Sequence, residues 1–230
     1  MTRPGREAPL PPQPEDTVPP VAPPTRGERQ QQTRTALIAA ARTVFARDGY
    51  HGARLDVIAH EAGYSKGAVY SNFDGKSALF LAVIDADLAR ADEIGHDAGL
   101  PSAPAPRTGT GPGAASPAPE HDEEARLAQA HGFSLASLEF IATAARDPSL
   151  TPELESRMRR MLALYTDAAL ANSAAVDDPL APADRGILLA ALEQGSAFLS
   201  LSGVAPLPDS LIREGMLRLL TPLPAEQPTP

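Results

Sequence analysis

The chain has 230 residues, 43% of them apolar, and a formal net charge of −9, a size that holds one domain or a small domain joined to a larger one. It contains no cysteine, which excludes disulfides, thiolate metal sites and a cysteine nucleophile. No apolar run approaches the ~18 residues that cross a bilayer, and the opening MTRPGREAPLPPQPEDTVPP lacks the apolar core of a secretory signal, so a cytoplasmic protein with no membrane partner is expected.

Residues 1–25 hold nine prolines and few large apolar groups. They bury too little surface to offset the entropy of ordering and are expected to be a disordered tail. The first helical pattern is RTALIAAARTVFARDGY, with Leu37, Ile38, Ala41, Val44 and Phe45 on one face and Gly49 where a stop belongs. LDVIAHEAG predicts a short second helix closed by Gly63, and Ser65 is a suitable N-cap for a third running through Phe73. These elements make up residues 26–75. A connecting helix is expected over 76–95, followed by a Pro/Gly-rich flexible linker or loop over 96–121.

Residues 122–221 read as a C-terminal helical domain. In DEEARLAQAHGFSLASLEFIATAAR, Leu127, Phe133, Leu138 and Ile141 are expected to face inward. TPELESRMRRMLALYTDAALA places Leu154, Met158, Met161, Leu162, Tyr165 and Ala169 on one stripe. RGILLAALEQGSAFLSLSGV is apolar nearly all round, which a solvated helix is not, and PDSLIREGMLRLL is a short last helix. A second disordered tail is expected over 222–230. No strand is needed, and the predicted class is all-α.

The segment AGYSKGAVYSNFDGKSALF holds both lysines of the chain, Lys66 and Lys76, against eighteen arginines elsewhere. From Arg26 to Phe80 there are eight Lys/Arg and five Asp/Glu, so this segment is +3 and the remainder is −12. A basic end on an acidic body points to nucleic acid. Two short helices joined by a glycine turn at Gly63–Tyr64 form a helix-turn-helix pattern. The start of the second helix offers unpaired amides to a phosphate, and Gly67 removes bulk so that the helix can approach base edges in the major groove. Tyr70 follows Lys66 by one turn, Ser71 and Asn72 add short polar groups, and Lys76 opens the next helix with a second positive charge. Taken singly, each of these residues is more often ordinary surface or packing; the order and the turn make the combination specific.

The text TRTALIAAARTVFARDGYHGARLDVIAHEAGYSKGAVYSNFDGKSALF resembles the DNA-binding region of the tetracycline-repressor (TetR) family of transcriptional regulators. The resemblance covers about a quarter of the chain, and its most specific run is Ser65-Lys66-Gly67-Ala68-Val69-Tyr70-Ser71-Asn72-Phe73 followed by Lys76. It implies dimeric binding to a double-stranded operator, with the second helix of the motif in the major groove. It also implies DNA contacts at Lys66, Gly67, Tyr70, Ser71 and Lys76; Ser65, Ala68 and Asn72 complete the candidate run. One departure stands at Arg54, where the family usually has Ser or Thr to cap the second helix. Arginine cannot cap, though it can bind phosphate itself.

The resemblance further implies a ligand pocket and a homodimer interface in the C-terminal helices. From the residues, Leu188, Leu192, Gly195, Phe198, Leu199, Ile212 and Leu219 belong either to a four-helix contact across a two-fold axis or to a helix buried within the monomer. Phe133, Phe140, Met158, Met161, Tyr165 and Phe198 either line a pocket for an apolar or amphipathic effector or are plain core. The GKS at Gly75–Ser77 lacks the glycine and strand of a P-loop, His60-Glu61 lacks the second histidine of a zinc helix, and no catalytic, metal or cofactor constellation is found. The reading is a ligand-released repressor. The alternatives are a helical interaction module with a vestigial helix-turn-helix, or an enzyme on a helical scaffold.

Overall fold

The computed structural model describes residues 25–98, 120–171, 180–203 and 208–220. These form helices α1 (Arg26–Gly52), α2 (Leu55–Glu61), α3 (Lys66–Asn72), α4 (Gly75–Ala98), α5 (Glu120–Ala144), α6 (Thr151–Ala171), α7 (Pro182–Leu201) and α8 (Asp209–Leu220), with no strand among the described residues. The expected tails over 1–25 and 222–230 lie outside them except for Thr25, as does most of the expected linker. α4 and α5 each run a short way into the stretch assigned to the linker, to Ala98 and from Glu120.

α1 begins eight residues before the pattern that revealed it. Thr25 and Glu28 close a capping box: Glu28 N–H donates to Thr25 Oγ1 at 3.2 Å, and Thr25 N–H donates to the Glu28 carboxylate at 2.5 Å. That T-x-x-E signal precedes any apolar residue, so a search for periodicity passes over it. Gly49 does break the helix, with φ 73° and ψ 173°, but one further turn continues to Gly52.

A single core joins α1, α2, α3, α4 and α5. Leu37, Ala41, Val44 and Phe45 of α1 meet Ile58, Val69, Leu79, Phe80 and Val83, and α5 adds Phe133, Ala136, Phe140 and Ala144. Phe80 is its hub. Its ring lies 4.8 Å from Phe45 and 5.2 Å from Tyr50, both edge-on, and stacks at 4.7 Å on Phe140 and 5.5 Å on Phe133. These are favourable aromatic geometries. Close approach of α5 to α1 depends on Gly132, where a Cβ would sit 2.0 Å from the Ala46 carbonyl oxygen.

α5, which falls in the stretch read as the C-terminal domain, packs on α1 and α4 and completes the N-terminal core. The inward face of α5 differs from the expected one. The buried stripe is Phe133–Ala136–Phe140–Ala144, at helical spacing, while Leu138 and Ile141 are 40% and 38% exposed. The side chain of Leu127 lies outside the described residues.

A second, smaller core holds Tyr165, Ala169, Leu189, Ala190 and Leu220, with Met161, Leu162, Met216 and Leu219 against it. α6 ties the two together: Leu154 packs on the first core, and Arg157 bonds Asp85 of α4 at 2.7 Å. α7 buries one face on α6, and Gly186 permits the contact because a Cβ there would meet Thr166 Oγ1 at 2.5 Å. The opposite face of α7 is open, so α7 is not a helix buried on all sides of the monomer. Replacing the hub tests the shared core. Phe80→Ala is expected to cost about 3–5 kcal/mol in a denaturant titration and to loosen α5 together with α1, read as loss of hydrogen-exchange protection in both helices.

Candidate nucleic-acid interface

Seven-residue helices are marginal by themselves, so α2 and α3 stand on tertiary anchors. α2 buries Ile58 and Ala59; α3 buries Val69, and Phe73 follows it into the core. The turn between them is set by Gly63, at φ 78°. Gly63 N–H donates to His60 O at 3.0 Å and Tyr64 N–H to Ala59 O at 2.8 Å, the paired bonds that close a helix through a left-handed glycine. Arg34 of α1 fixes the far end of α3. Its Nη1 donates to Asn72 O at 2.8 Å, and its guanidinium lies 4.3 Å from the centre of the Phe73 ring.

With Val69 pointing inward, α3 presents Lys66, Gly67, Tyr70 and Ser71 outward. Tyr70 is 57% exposed, and the Lys66 ammonium lies 5.9 Å from its ring centre. Ser65 has the backbone of an N-cap, φ −80° and ψ 157°, but its side chain makes no capping bond. Ser71 Oγ and Asn72 Nδ2 both donate to Ala68 O, at 3.0 and 2.8 Å, so these two groups bind their own helix. Gly67 meets no local demand for glycine. It is absent from the left-handed glycines, and a Cβ there would find only Ser65 Oγ, at 3.7 Å.

Arg54 leaves α2 without a side-chain cap. Its guanidinium forks onto Asp56, with Nε to Oδ1 at 3.2 Å and Nη2 to Oδ2 at 2.8 Å. Those hydrogen bonds hold the Asp56 carboxyl below its ordinary range. Lys76 has a structural task beside the one the sequence implied. Its Nζ donates to His51 O at 3.0 Å and Ala53 O at 3.1 Å, satisfying carbonyls at the end of α1, and lies 5.1 Å from the centre of the Tyr50 ring. Burial lowers the Lys76 pKa, opposed by the nearby charge of Glu139. An ammonium has three N–H donors, so two are committed to the fold.

Two grooves flank α3. Arg54, Lys66, Tyr70 and Lys76 line one of about 330 Å³ together with Ala53, Leu55 and Asp56, so four of the sequence candidates do share an edge. Ala68, Ser71 and Asn72 line the other, of about 460 Å³, with Arg26, Gln30, Thr33 and Tyr64. None of these last four is among the DNA-contact candidates read from the sequence. Their signal is the spacing i, i+4, i+7 of Arg26, Gln30 and Thr33.

The effector candidates do not converge. Phe133 and Phe140 belong to the aromatic core, Met161 and Tyr165 to the second core, and Met158 is half-buried. Phe198 is 58% exposed on the open face of α7. Within the second core, the Tyr165 hydroxyl donates to the Glu193 carboxylate. Burial first, and then the Glu193 charge, push the Tyr165 pKa above its usual value. Glu193 and Arg185 are buried charges that the sequence reading missed; their signal was a four-residue spacing through Leu189 on an otherwise apolar helix. Of the dimer candidates, Leu188, Phe198 and Leu199 lie exposed on α7, with Gly195 beside them in open space. Leu192, Ile212 and Leu219 are half-buried. Among the described residues no group of three or more His, Asp or Glu is placed to hold a metal.

An anchored helix-turn-helix with a polar outer edge is a motif that docks a helix in the DNA major groove. Residues 37–83 match the family model described as bacterial regulatory proteins, tetR family. The repressor AcnR of Corynebacterium glutamicum is 35% identical over 74 residues, 32% of this chain and 39% of that protein. The activator FasR of Mycolicibacterium smegmatis is 44% identical over 61 residues, 26% of this chain and 28% of that protein. The chain thus spans about two-fifths or less of these relatives' length. Among solved structures, a protein described as a TetR-family regulator from Rhodococcus sp. superposes with a TM-score of 0.57 at 21% identity, covering 81% of this chain and 95% of that one. FadR of Bacillus subtilis, solved with stearoyl-CoA, gives a TM-score of 0.50 at 16% identity, covering 81% and 97%. Residues 37–83 are thus similar to the DNA-binding region of the TetR family, and the described helices share the fold of the Rhodococcus protein.

Gly67 offers a test that separates folding from recognition. Gly67→Ala is expected to leave thermal stability equal or higher, by up to about 1 kcal/mol at a helical position, while weakening DNA binding at least tenfold in a gel-shift titration. A variant that loses stability would assign the glycine to the fold.

Proposed function

We propose that this protein is a cytoplasmic transcriptional repressor that binds a palindromic operator as a homodimer and is released by a small apolar or amphipathic ligand. The observation that carries the reading is the outer edge of α3. The residues that hold the helix, Val69 and Phe73, point inward. Lys66, Gly67 and Tyr70 point outward, where the fold gives them no packing task. Lys66 meets phosphate, Gly67 admits the base edges, and the Tyr70 hydroxyl donates to a backbone oxygen.

Two copies bring two such edges about one DNA turn apart, ~34–36 Å. The face that supports pairing lies on α7 and α8, where Ile187, Leu188, Phe198, Leu199, Leu211 and Leu217 are all two-fifths or more exposed. An open apolar face on adjacent helices favours a self-complementary contact. Repression follows the AcnR likeness, and a reporter assay distinguishes it from activation of the FasR kind. For the ligand, stearoyl-CoA in FadR is the guide to chemical class, and the apolar seam between α6, α7 and α8 is where such a molecule enters. Its signal passes to α3 through α4 and α5, which both pack on α1. Couplings of this kind are typically about 1–3 kcal/mol.

The test is an anisotropy titration with the DNA upstream of the protein's own gene at several salt concentrations. Lys66→Ala is expected to lower the slope of log affinity against log salt by about 0.9 per half-site, and Tyr70→Phe to cost about 1 kcal/mol. Lys66 is the cleaner probe, because removing Lys76 also strips two carbonyls of their donor. For pairing, Phe198→Glu is expected to convert a dimer to a monomer in sedimentation equilibrium and to weaken operator binding in parallel; a dimer that persists would exclude this face.

A further inference from the structure

We infer that the projecting start of α1 forms a second phosphate-binding wall, so that each α3 is clasped between both strands of its major groove. This rests on the DNA-binding reading of α3. Arg26, Gln30 and Thr33 lie on one stripe of α1, and the same stripe continues as Leu37, Ala41 and Val44, which are fully buried. It turns from apolar to basic and polar where α1 leaves the core. Residues 26–32 are all exposed, and from Arg26 to Leu37 the helix extends ~16 Å at 1.5 Å per residue. Helix in this stretch gains no apolar burial of its own; the Thr25–Glu28 capping box fixes its start.

The stripe faces α3. Arg26, Gln30 and Thr33 form one bank of the 460 Å³ groove, and Ala68, Ser71 and Asn72 of α3 form the other, with Tyr64 at the turn. On the opposite side of α3 lies the groove with Arg54, Lys66 and Lys76. A helix seated in the major groove, ~12 Å wide, has one sugar-phosphate strand on each side. The two grooves match that arrangement, each with a cation on its outer bank. The α1 groove has no carboxylate among its lining residues; the Glu28 carboxylate lies outside that lining and accepts from Thr25 N–H. Arg26 supplies the charge for the second strand. Gln30 and Thr33 supply neutral polar groups between that phosphate and α3. Contacts of this kind fix register and orientation rather than sequence.

The experiment uses the full chain and a fluorescein-labelled random-sequence duplex, since phosphate contacts are independent of sequence. Affinity is measured across a salt series for the wild type, Arg26→Ala, Arg26→Lys, Lys66→Ala and a control, Arg159→Ala. Arg159 is an exposed arginine of α6 paired with Glu155 at 2.9 Å. The expected result is a slope lowered by about 0.9 for each half-site bound in Arg26→Ala, kept in Arg26→Lys and unchanged in Arg159→Ala. If Arg26→Ala keeps the wild-type slope while Lys66→Ala lowers it, the second wall is refuted and the α3 reading stands. If neither substitution changes the slope, the α3 reading itself fails and the second wall with it.

Discussion

The Phe80 ring is the contact on which the rest of the molecule depends. It sits on α4 and touches Phe45 and Tyr50 of α1 and Phe133 and Phe140 of α5. Interiors this closely packed respond to displacement as discrete rearrangements rather than smooth deformations. The position of α3 is inherited from that cluster. Val69 and Phe73 enter the same core, and Arg34 clamps the end of α3 to α1. A shift of α5 therefore reaches α3 through packed side chains, with α1 as the shared support.

Electrostatics around that core is local rather than global. The chain is acidic overall, yet charge near α3 is arranged group by group. Asp56 holds Arg54 in place, Lys76 caps the carbonyls at His51 and Ala53, and Glu139 of α5 accepts from His51 N–H at 3.0 Å. The corner between α1 and α2 is thus gripped from α4 and from α5. Further along, Arg42 of α1 pairs with Asp87 of α4 beneath the Phe133 ring. Burial raises the Asp87 pKa, and Arg42 opposes the rise. The pair ties the helix-turn-helix support to α4 at a cost in desolvation, which trades stability for a defined register between two helices.

The second half of the chain follows a different rule. Its core is small, built on Tyr165, Ala169, Leu189, Ala190 and Leu220, and it encloses the Tyr165–Glu193 bond. α7 and α8 leave large apolar side chains on the surface while burying Arg185 and Glu193. That inversion, charges inside and leucines outside, is uncommon in a chain that works alone. It places the unfinished surface of the protein on the helices farthest in sequence from α3.

What the sequence determined by itself was local. Helical period, the Gly63 turn, the Ser65–Lys76 run and the absence of a cap at Arg54 are properties of neighbouring residues, and the structure retains each in place. Tertiary structure decided everything that depends on which face meets which. Phe133 and Phe140 carry two readings, pocket or plain core, until α5 is placed on α1. That placement turns on Gly132, whose missing side chain admits the Ala46 carbonyl, a contact between residues far apart in sequence. Lys76 reads as a phosphate ligand in a linear motif, and only the path of the chain at the end of α1 brings the His51 and Ala53 carbonyls to that ammonium. Arg26, Gln30 and Thr33 reveal nothing in isolation. They gain a shared groove because the stripe they occupy is the one that Leu37, Ala41 and Val44 bury, and a helix cannot turn one part of a face inward without fixing the rest.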